Sequence, residues 1–349
     1  MTLGTQPPAC TQVILKVRTP DLKEGHAGSV RTQILAIQTR EKIYLAGFLL
    51  GAGLLLFLGR DLIQGSVIAT WGLTFGGTTA VAVLGAALFR VRIELEASRR
   101  QLARKEAELS FAREVQEALF PRRMPVSAGL EFSGICIPAR GISGDYYDVM
   151  QLPDGRLIFA IADISGKGIS AAIIMANLQA VLRTLAAANL SPCEICSRLN
   201  RHLLQVTDES KFATFFYADW DAAEMRLRYV NAGHHGPIFL GQSEPRRLTV
   251  GGIPLGLFAE AEFQMGEVIL QPGDLLVLYS DGITEAHSKR GEEFGESRLE
   301  ASIEPYRREP LPEIQRRALE AVRLWSEGEP EDDMTLLIVR ATTRLEGHI

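Results

Sequence analysis

Two apolar stretches near the start of the chain limit most strongly what it can become. Residues Ile43–Gly59 run 17 positions without a charge, and after Arg60 and Asp61 another 28 follow, Leu62–Phe89. A hydrocarbon core of about 30 Å needs about 20 apolar residues in a helix, so both stretches can cross it, the first at the short end. A signal peptide does not fit a run that begins past residue 40 and is followed at once by a second. The short connection Arg60–Gly65 predicts an antiparallel hairpin over residues 43–90, with a buried soluble hairpin as the alternative. The hairpin accounts for the slightly positive mean hydropathy of +0.07. With 46% hydrophobic residues and a net charge of only −5, disorder is excluded as the main state. The same charge excludes nucleic-acid binding driven by bulk attraction to phosphates. Four cysteines in 349 residues are too few for a disulfide scaffold.

Basic residues set the orientation. Arg31, Arg40 and Lys42 precede the first stretch, Arg90, Arg92, Arg99 and Arg100 follow the second, and only Arg60 lies between them. Both termini are therefore expected in the cytoplasm, with lipid around the spans. Gly47 and Gly51, and then Gly72, Gly76 and Ala80, are spaced by four and line one helix face with small residues. That face fits either the other span or a second chain. Residues 1–42 receive no function. Residues 91–120 are charged and, from Val91 to Leu119, free of Gly and Pro. Leu88, Leu95, Leu102 and Leu109 repeat there every seven residues. The second heptad position (Val91, Ser98, Lys105, Ala112) is mostly polar or small, so a solvated helical linker and a weak parallel coiled coil joining two protomers both fit. Pro121 and Pro125 close this helix.

Residues 121–343 read as one soluble domain, followed by a tail, 344–349. Strand-like runs are Glu131–Pro138, Arg156–Ala162, Ala213–Trp220, Arg226–Val230, Glu267–Leu270, Leu275–Ser280 and Met334–Ala341. Helical runs are Ile169–Ala188, Glu194–Val206 and Pro312–Ser326. The helices come in blocks between groups of strands, which predicts an α+β domain with helices layered on antiparallel sheets.

Acidic clusters stand at the ends of these runs. Asp145 and Asp148 follow the first strand, Asp163 follows Leu157–Ala162, Asp281 follows Leu275–Ser280, and Asp332-Asp333 precedes Met334–Arg340. Carboxylates at the ends of buried strands are costly unless paired or bound to a metal. Nearby basic residues are few: Lys167 beside Asp163 and Arg140 before Asp145. Several carboxylates without His or Cys would form an all-oxygen site, suited to Mg2+ or Mn2+.

The ordered set GISGDYYD, ADISGKG, NAGHHGP, GGIPLGL, YSDGITEA and DDMTLL, with AREVQEALFP before it, resembles the metal-dependent protein phosphatases in their SpoIIE/RsbU-type bacterial branch. The resemblance covers about 112–343 and leaves out the hairpin. It implies an αββα four-layer sandwich with two metal ions, Mn2+ or Mg2+, at one end between the sheets. By position, Asp163 would bridge the metals, the carbonyl of Ile164 would add a ligand, and Asp145, Asp281 and Asp332 would complete the set. Asp148 and Asp333 would hold water ligands or cap backbone. Apart from the resemblance, Arg140 fits either a phosphate contact, since a guanidinium forks onto two oxygens, or an ordinary surface arginine. Ser143-Gly144-Asp145 stands where the family usually has Gly-Gly-Asp. His235-Gly236-Pro237 stands where it usually has Asn-Pro-Pro. Neither departure removes an acidic ligand.

The resemblance further implies hydrolysis of phosphoserine or phosphothreonine on a STAS-domain anti-sigma-factor antagonist in bacteria; the hairpin and its basic flanks add the expectation of a multi-pass inner-membrane protein, and the leucine repeat that of a homodimer. Two other readings are a membrane-tethered binding module without turnover and a small-molecule phosphomonoesterase. Lys167 between glycines lacks P-loop spacing. His234 and His235 fit backbone-bonding loop histidines better than a general acid. Cys193 and Cys196 fit a buried helical face, and Phe212, Phe215, Phe216 and Tyr217 fit the core.

Overall fold

Side chains that alternate along successive strands build two sheets whose inner faces meet. The computed structural model describes residues 50–54, 57, 67–125, 129–208, 210–328 and 330–343. Most of the first predicted span, the turn after it, residues 1–42 and the tail 344–349 lie outside these. The chain divides into two units, Met1–Ser98 and Arg99–Ile349. In the first, residues 50–54 are helical, and helix α1 begins at Val67. Among its described side chains, Trp71, Phe75, Val83, Leu84, Leu88 and Phe89 are all more than half exposed. Helix α1 continues without a break to Glu117, its part beyond Val91 being free of Gly and Pro.

The second unit holds the sheets. One is fully antiparallel, in the order β1 (Leu130–Ile137), β11 (Met334–Ala341), β10 (Leu275–Tyr279), β6 (Ile238–Leu240) and β7 (Arg246–Arg247). The other orders β2 (Tyr146–Gln151), β3 (Leu157–Ile164), β4 (Ala213–Asp221), β5 (Arg226–Ala232) and β8 (Gly251–Gly252), with β9 (Gly266–Ile269) also on β5. Here the expectation of purely antiparallel sheets is corrected. Strand β8 runs parallel to β5, because the chain between them makes an excursion through β6 and β7 in the opposite sheet, the crossover a parallel pair requires.

Three apolar clusters define the layers. Leu157, Phe159, Ile161, Phe216, Leu276, Leu278, Leu337 and Val339 fill the space between the sheets. The opposite faces of the same strands bury Ile158, Ala160, Ala162 and Tyr217 beneath helices α2 (Ile169–Ala186) and α3 (Pro192–Val206). They bury Leu275, Val277, Leu336 and Ile338 beneath α5 (Gly295–Ile303) and α6 (Leu311–Ser326); α4 (Asp281–Thr284) is a single turn. Helix α2 is apolar enough to be mistaken for a span, but Ala171, Met175, Leu178, Leu182 and Ala186 seat it on the sheet. Helix α3 starts two residues earlier than its apolar pattern suggests. Ser191 accepts from the Glu194 amide while Glu194 accepts from the Ser191 amide, a capping box with Pro192 at its first turn.

Candidate metal centre

Strand register alone brings two of the predicted aspartates together. In the β2–β3 pair Tyr146 faces Ala162, so the same register carried one residue further sets Asp145 beside Asp163. Both fall on the face that carries Tyr147, Val149, Phe159 and Ile161 between the sheets. The opposite sheet supplies the rest. Strand β10 ends at Tyr279 and β11 begins at Met334, so Asp281 and Asp332-Asp333 leave neighbouring strands at one end. Ser280 ties them: its amide donates to Thr335 O (3.0 Å) and its hydroxyl to Asp333 O (3.1 Å).

Two glycines allow the main chain to close around this point. A Cβ on Gly144 would stand 3.1 Å from the carbonyl oxygen of Ile164, so the Asp145 loop lies directly against the proposed carbonyl ligand. A Cβ on Gly282 would stand 2.2 Å from Asp333 O, which no side chain permits. Asp333 is a positioning residue. Its Oδ1 accepts from the Ala139 amide and its Oδ2 from the Gly144 amide, both at 2.8 Å, pinning the 139–144 loop to the start of β11. The same loop is held from the other side by Gln116 of α1. Gln116 Nε2 donates to Ser143 O (2.7 Å) and its Oε1 accepts from the Ser143 amide (2.9 Å).

The electrostatics of the group call for a cation. Burial, then the charge of Asp163, push the Asp145 carboxyl well above the ordinary range. Burial, then the charges of Asp281, Asp332 and Asp333, push Asp163 up. Burial and Asp332 do the same to Asp281. Asp145 is 1% exposed, and its Oδ2 has no hydrogen-bond partner among the described residues. Lys167 Nζ reaches Asp332 Oδ2 at 2.6 Å, but this pair is half-exposed and leaves Asp145 and Asp163 unneutralised. Oxygen donors only, one of them orphaned and most with raised pKa, match a hard divalent cation.

Asp148 lies apart from this group. Being three residues from Asp145, it takes the other face of β2, under α2, where Arg183 grips it through Nε (2.8 Å) and Nη2 (3.1 Å) and Tyr146 donates its hydroxyl (2.6 Å). Replacing Arg183 by Met would strand a buried carboxylate. It is expected to cost about 2–3 kcal/mol of stability in thermal unfolding, below the about 3–5 kcal/mol of a fully buried pair because Arg183 is partly exposed, while leaving bound-Mn2+ stoichiometry unchanged.

Arg140 and Lys167 line a cavity of about 510 Å³ with Asp332, Glu285, His287 and Arg323. His234 is buried, with Nδ1 at 2.8 Å from Thr214 Oγ1 and Nε2 at 3.1 Å from Tyr279 O, and burial lowers its pKa to about 3. It is a neutral structural residue. Cys136 sits beside Ser143 with its thiol pushed up to about 12 by burial and by Asp145, so no thiolate is available there. Cys193 is half-buried and Cys196 buried in α3, and Phe215, Phe216 and Tyr217 are core. Asp333 caps backbone, one of the two roles the resemblance implied for it, whereas the partner of Lys167 and the grip of Gln116 emerge only in three dimensions. For Asp333 the doubled Asp-Asp was a signal; Gln116 lies within AREVQEALFP, a segment that carried the resemblance but gave no role to this side chain.

The family described as stage II sporulation protein E (SpoIIE) matches residues 153–342. The phosphoserine phosphatase RsbU of Bacillus subtilis is 30% identical over 238 residues, covering 67% of this chain and 70% of its own length. The phosphoserine phosphatase RsbP of the same organism is 30% identical over 181 residues, covering 50% of this chain and 45% of its own. Among solved structures, the SiaA-PP2C domain of Pseudomonas aeruginosa aligns with a TM-score of 0.61 at 21% identity, covering 69% of this chain and 98% of that one. The RsbU and RsbW domains of Rv1364c from Mycobacterium tuberculosis align with a TM-score of 0.55 at 24% identity, covering 63% and 62%. At these identities the two structures speak to the fold.

Proposed function

This chain belongs to the SpoIIE family of PP2C-type serine/threonine phosphatases, and on that premise we propose that it removes phosphate from a phosphorylated STAS-domain protein at a two-metal centre, anchored in a bacterial inner membrane. The observation that carries the reading is the gathering of Asp145, Asp163, Asp281 and Asp332 from both sheets around an orphaned buried carboxylate oxygen.

Asp145, Asp163, the Ile164 carbonyl, Asp281 and Asp332 would hold Mn2+ or Mg2+. When bound, the two ions supply Lewis acidity toward phosphoryl oxygens and a nucleophile at neutral pH. The chain itself does the rest. Asp333 and Ser280 fix the spacing of the carboxylates through backbone bonds. Arg140, Lys167 and Arg323 present positive charge to a phosphate in the adjoining cavity, where a guanidinium can fork onto two oxygens. Burial and Asp145 push the Cys136 thiol up to about 12, so this cysteine beside the acidic group does not offer a thiolate to the phosphate.

Exposed apolar side chains from Val67 to Phe89 of α1 support the membrane anchor, since such a surface needs lipid or protein to cover it. The basic residues flanking the two apolar stretches support a cytoplasmic side for both termini. Leu88, Leu95, Leu102 and Leu109 are likewise exposed along α1, in keeping with a parallel homodimer whose linker relays a signal. Cysteines introduced at Leu95 and Leu102 are expected to cross-link two chains in membranes on mild oxidation. Chains that stay monomeric under the same treatment would remove the dimer.

The deciding assay is phosphate release by the full chain from a phosphoserine STAS-domain protein and from p-nitrophenyl phosphate, with Mn2+, with Mg2+ and after chelation. Metal-dependent release with a higher kcat/KM on the phosphoprotein is expected. A reversed preference would make this a small-molecule phosphomonoesterase. Tight phosphoprotein binding with no release in either metal would make it a binding module.

A further inference from the structure

Lys167 reaches from the end of a strand in one sheet to the start of a strand in the other. It stands in the β3–α2 turn between Gly166 and Gly168, whose φ angles of 99° and 77° favour glycine, and α2 begins just after it at Ile169. From this turn its Nζ meets Asp332 Oδ2 at 2.6 Å, two residues before β11. The other oxygen of that carboxylate is engaged as well, since Oδ1 accepts from the Asp333 amide at 2.9 Å. Asp332 therefore has both oxygens committed within the protein, unlike Asp145, whose Oδ2 is orphaned. The two commitments differ in how firmly they are fixed. The Asp333 amide belongs to main chain that is pinned by Ser280 and by the bonds of Asp333 to Ala139 and Gly144. The Lys167 ammonium has no second acceptor among the described residues, and half of its side chain is exposed.

The adjoining cavity gives a released ammonium somewhere to go. Lys167 lines it together with Arg140 and Arg323, neither of which has an ion-pair partner among the described residues. We propose that Lys167 is an exchange residue of the reaction: in the metal-free protein it closes Asp332, and in the loaded protein it releases Asp332 to a divalent cation and turns its ammonium to the phosphoryl oxygens of the substrate. The inference rests on Asp332 being a ligand of the metal pair. One side chain then couples the two binding events. Before loading, the cavity offers a phosphate the two guanidiniums alone, and after loading the lysine joins them. By reciprocity, a bound phosphate that holds the ammonium favours loading of Asp332 to the same degree.

Titration of the full chain in detergent with Mn2+, followed by the electron paramagnetic resonance signal of the free ion, reads the first half without turnover. Lys167→Met is expected to lower the Mn2+ concentration at half-loading about fivefold, the factor that corresponds to freeing Asp332 from an exposed ion pair. Arg323→Met removes the same charge from the same cavity without touching Asp332, and should shift loading by less than about twofold. The second half has the opposite sign. Inorganic phosphate should bind the Mn2+-loaded Lys167→Met protein about tenfold more weakly than the wild type, as the loss of a charge-assisted bond requires. Should the Met variant misfold, Lys167→Gln, which keeps a polar side chain without the charge, carries both arms. Mn2+ binding that is unchanged or weaker in the Lys167 variants, an equal gain in Arg323→Met, or an unchanged phosphate affinity overturns the exchange and leaves the two-metal reading standing. No bound Mn2+ in the wild type overturns both.

Discussion

Replacing Asp163 by Asn is expected to reduce metal-dependent phosphate release by about 10³-fold or more, the equivalent of about 4 kcal/mol in the barrier. The same change is expected to make the metal-free protein more stable. Asp163 sits among Asp281, Asp332 and Asp333, and its pKa climbs from 3.8 to about 7, mainly through burial and then through those charges. Between those limits the folded, metal-free chain keeps a proton that the unfolded chain releases. Stability therefore falls as pH rises through this window, and returns as pH falls. The amide introduced by Asp163→Asn carries no such charge, so the variant should melt higher above pH 7 in chelator, by about 1–3 kcal/mol, and lose that part of the pH slope. His234, buried neutral with its pKa near 3, contributes the opposite slope below its ordinary range, but equally in both proteins. Melting curves from pH 5 to pH 8, with and without Mn2+, check both halves. A variant less stable than wild type in chelator would contradict the repulsion described here.

The second large effect is expected from a single methyl group. Gly282→Ala places a carbon 2.2 Å from Asp333 O, and the obstacle is main chain on both sides. Relief requires α4 to move away from the start of β11, separating Asp281 from Asp332. Overpacking of this kind costs about 1–3 kcal/mol, and here the displaced atoms carry the ligands. Metal-dependent turnover should fall about 10²-fold with Mn2+ affinity weakened alongside, since misplacement of about 1 Å suffices for that loss. Gly141→Ala serves as the comparison. Open space surrounds Gly141, so its penalty should be confined to its positive φ of 86°, with metal affinity retained.

Much of this site could be read from the chain because its acids stand at strand ends, where a carboxylate is expensive without a partner. Strand β11 came out of the pattern at its full extent, Met334–Ala341, because it is central, apolar on both faces and bounded by Asp-Asp. Strand β2 was hidden, since Tyr146–Gln151 begins inside the acidic motif and carries Asp148 and Gln151 among its apolar residues. The two-residue strands β7 and β8 have no local signal, as their pairing is decided by the chain's passage between sheets. Asp145 and Asp148 were equal candidates in one dimension. The period-2 pleat separates them, sending one to the acidic group and the other to Arg183.

The grip of Gln116 on Ser143 sets a numerical bound on control. Two hydrogen bonds join the end of α1 to the residue two places before Asp145. At about 1 kcal/mol net for each, their complete rupture is worth about 2 kcal/mol, or about 30-fold in an equilibrium. An input that reaches the active loop through this side chain alone therefore has a dynamic range of tens, enough for a graded dial and too little for an all-or-none gate. A larger measured range would require Leu119 and Phe120, which pack on the domain core just beyond, to shift with it.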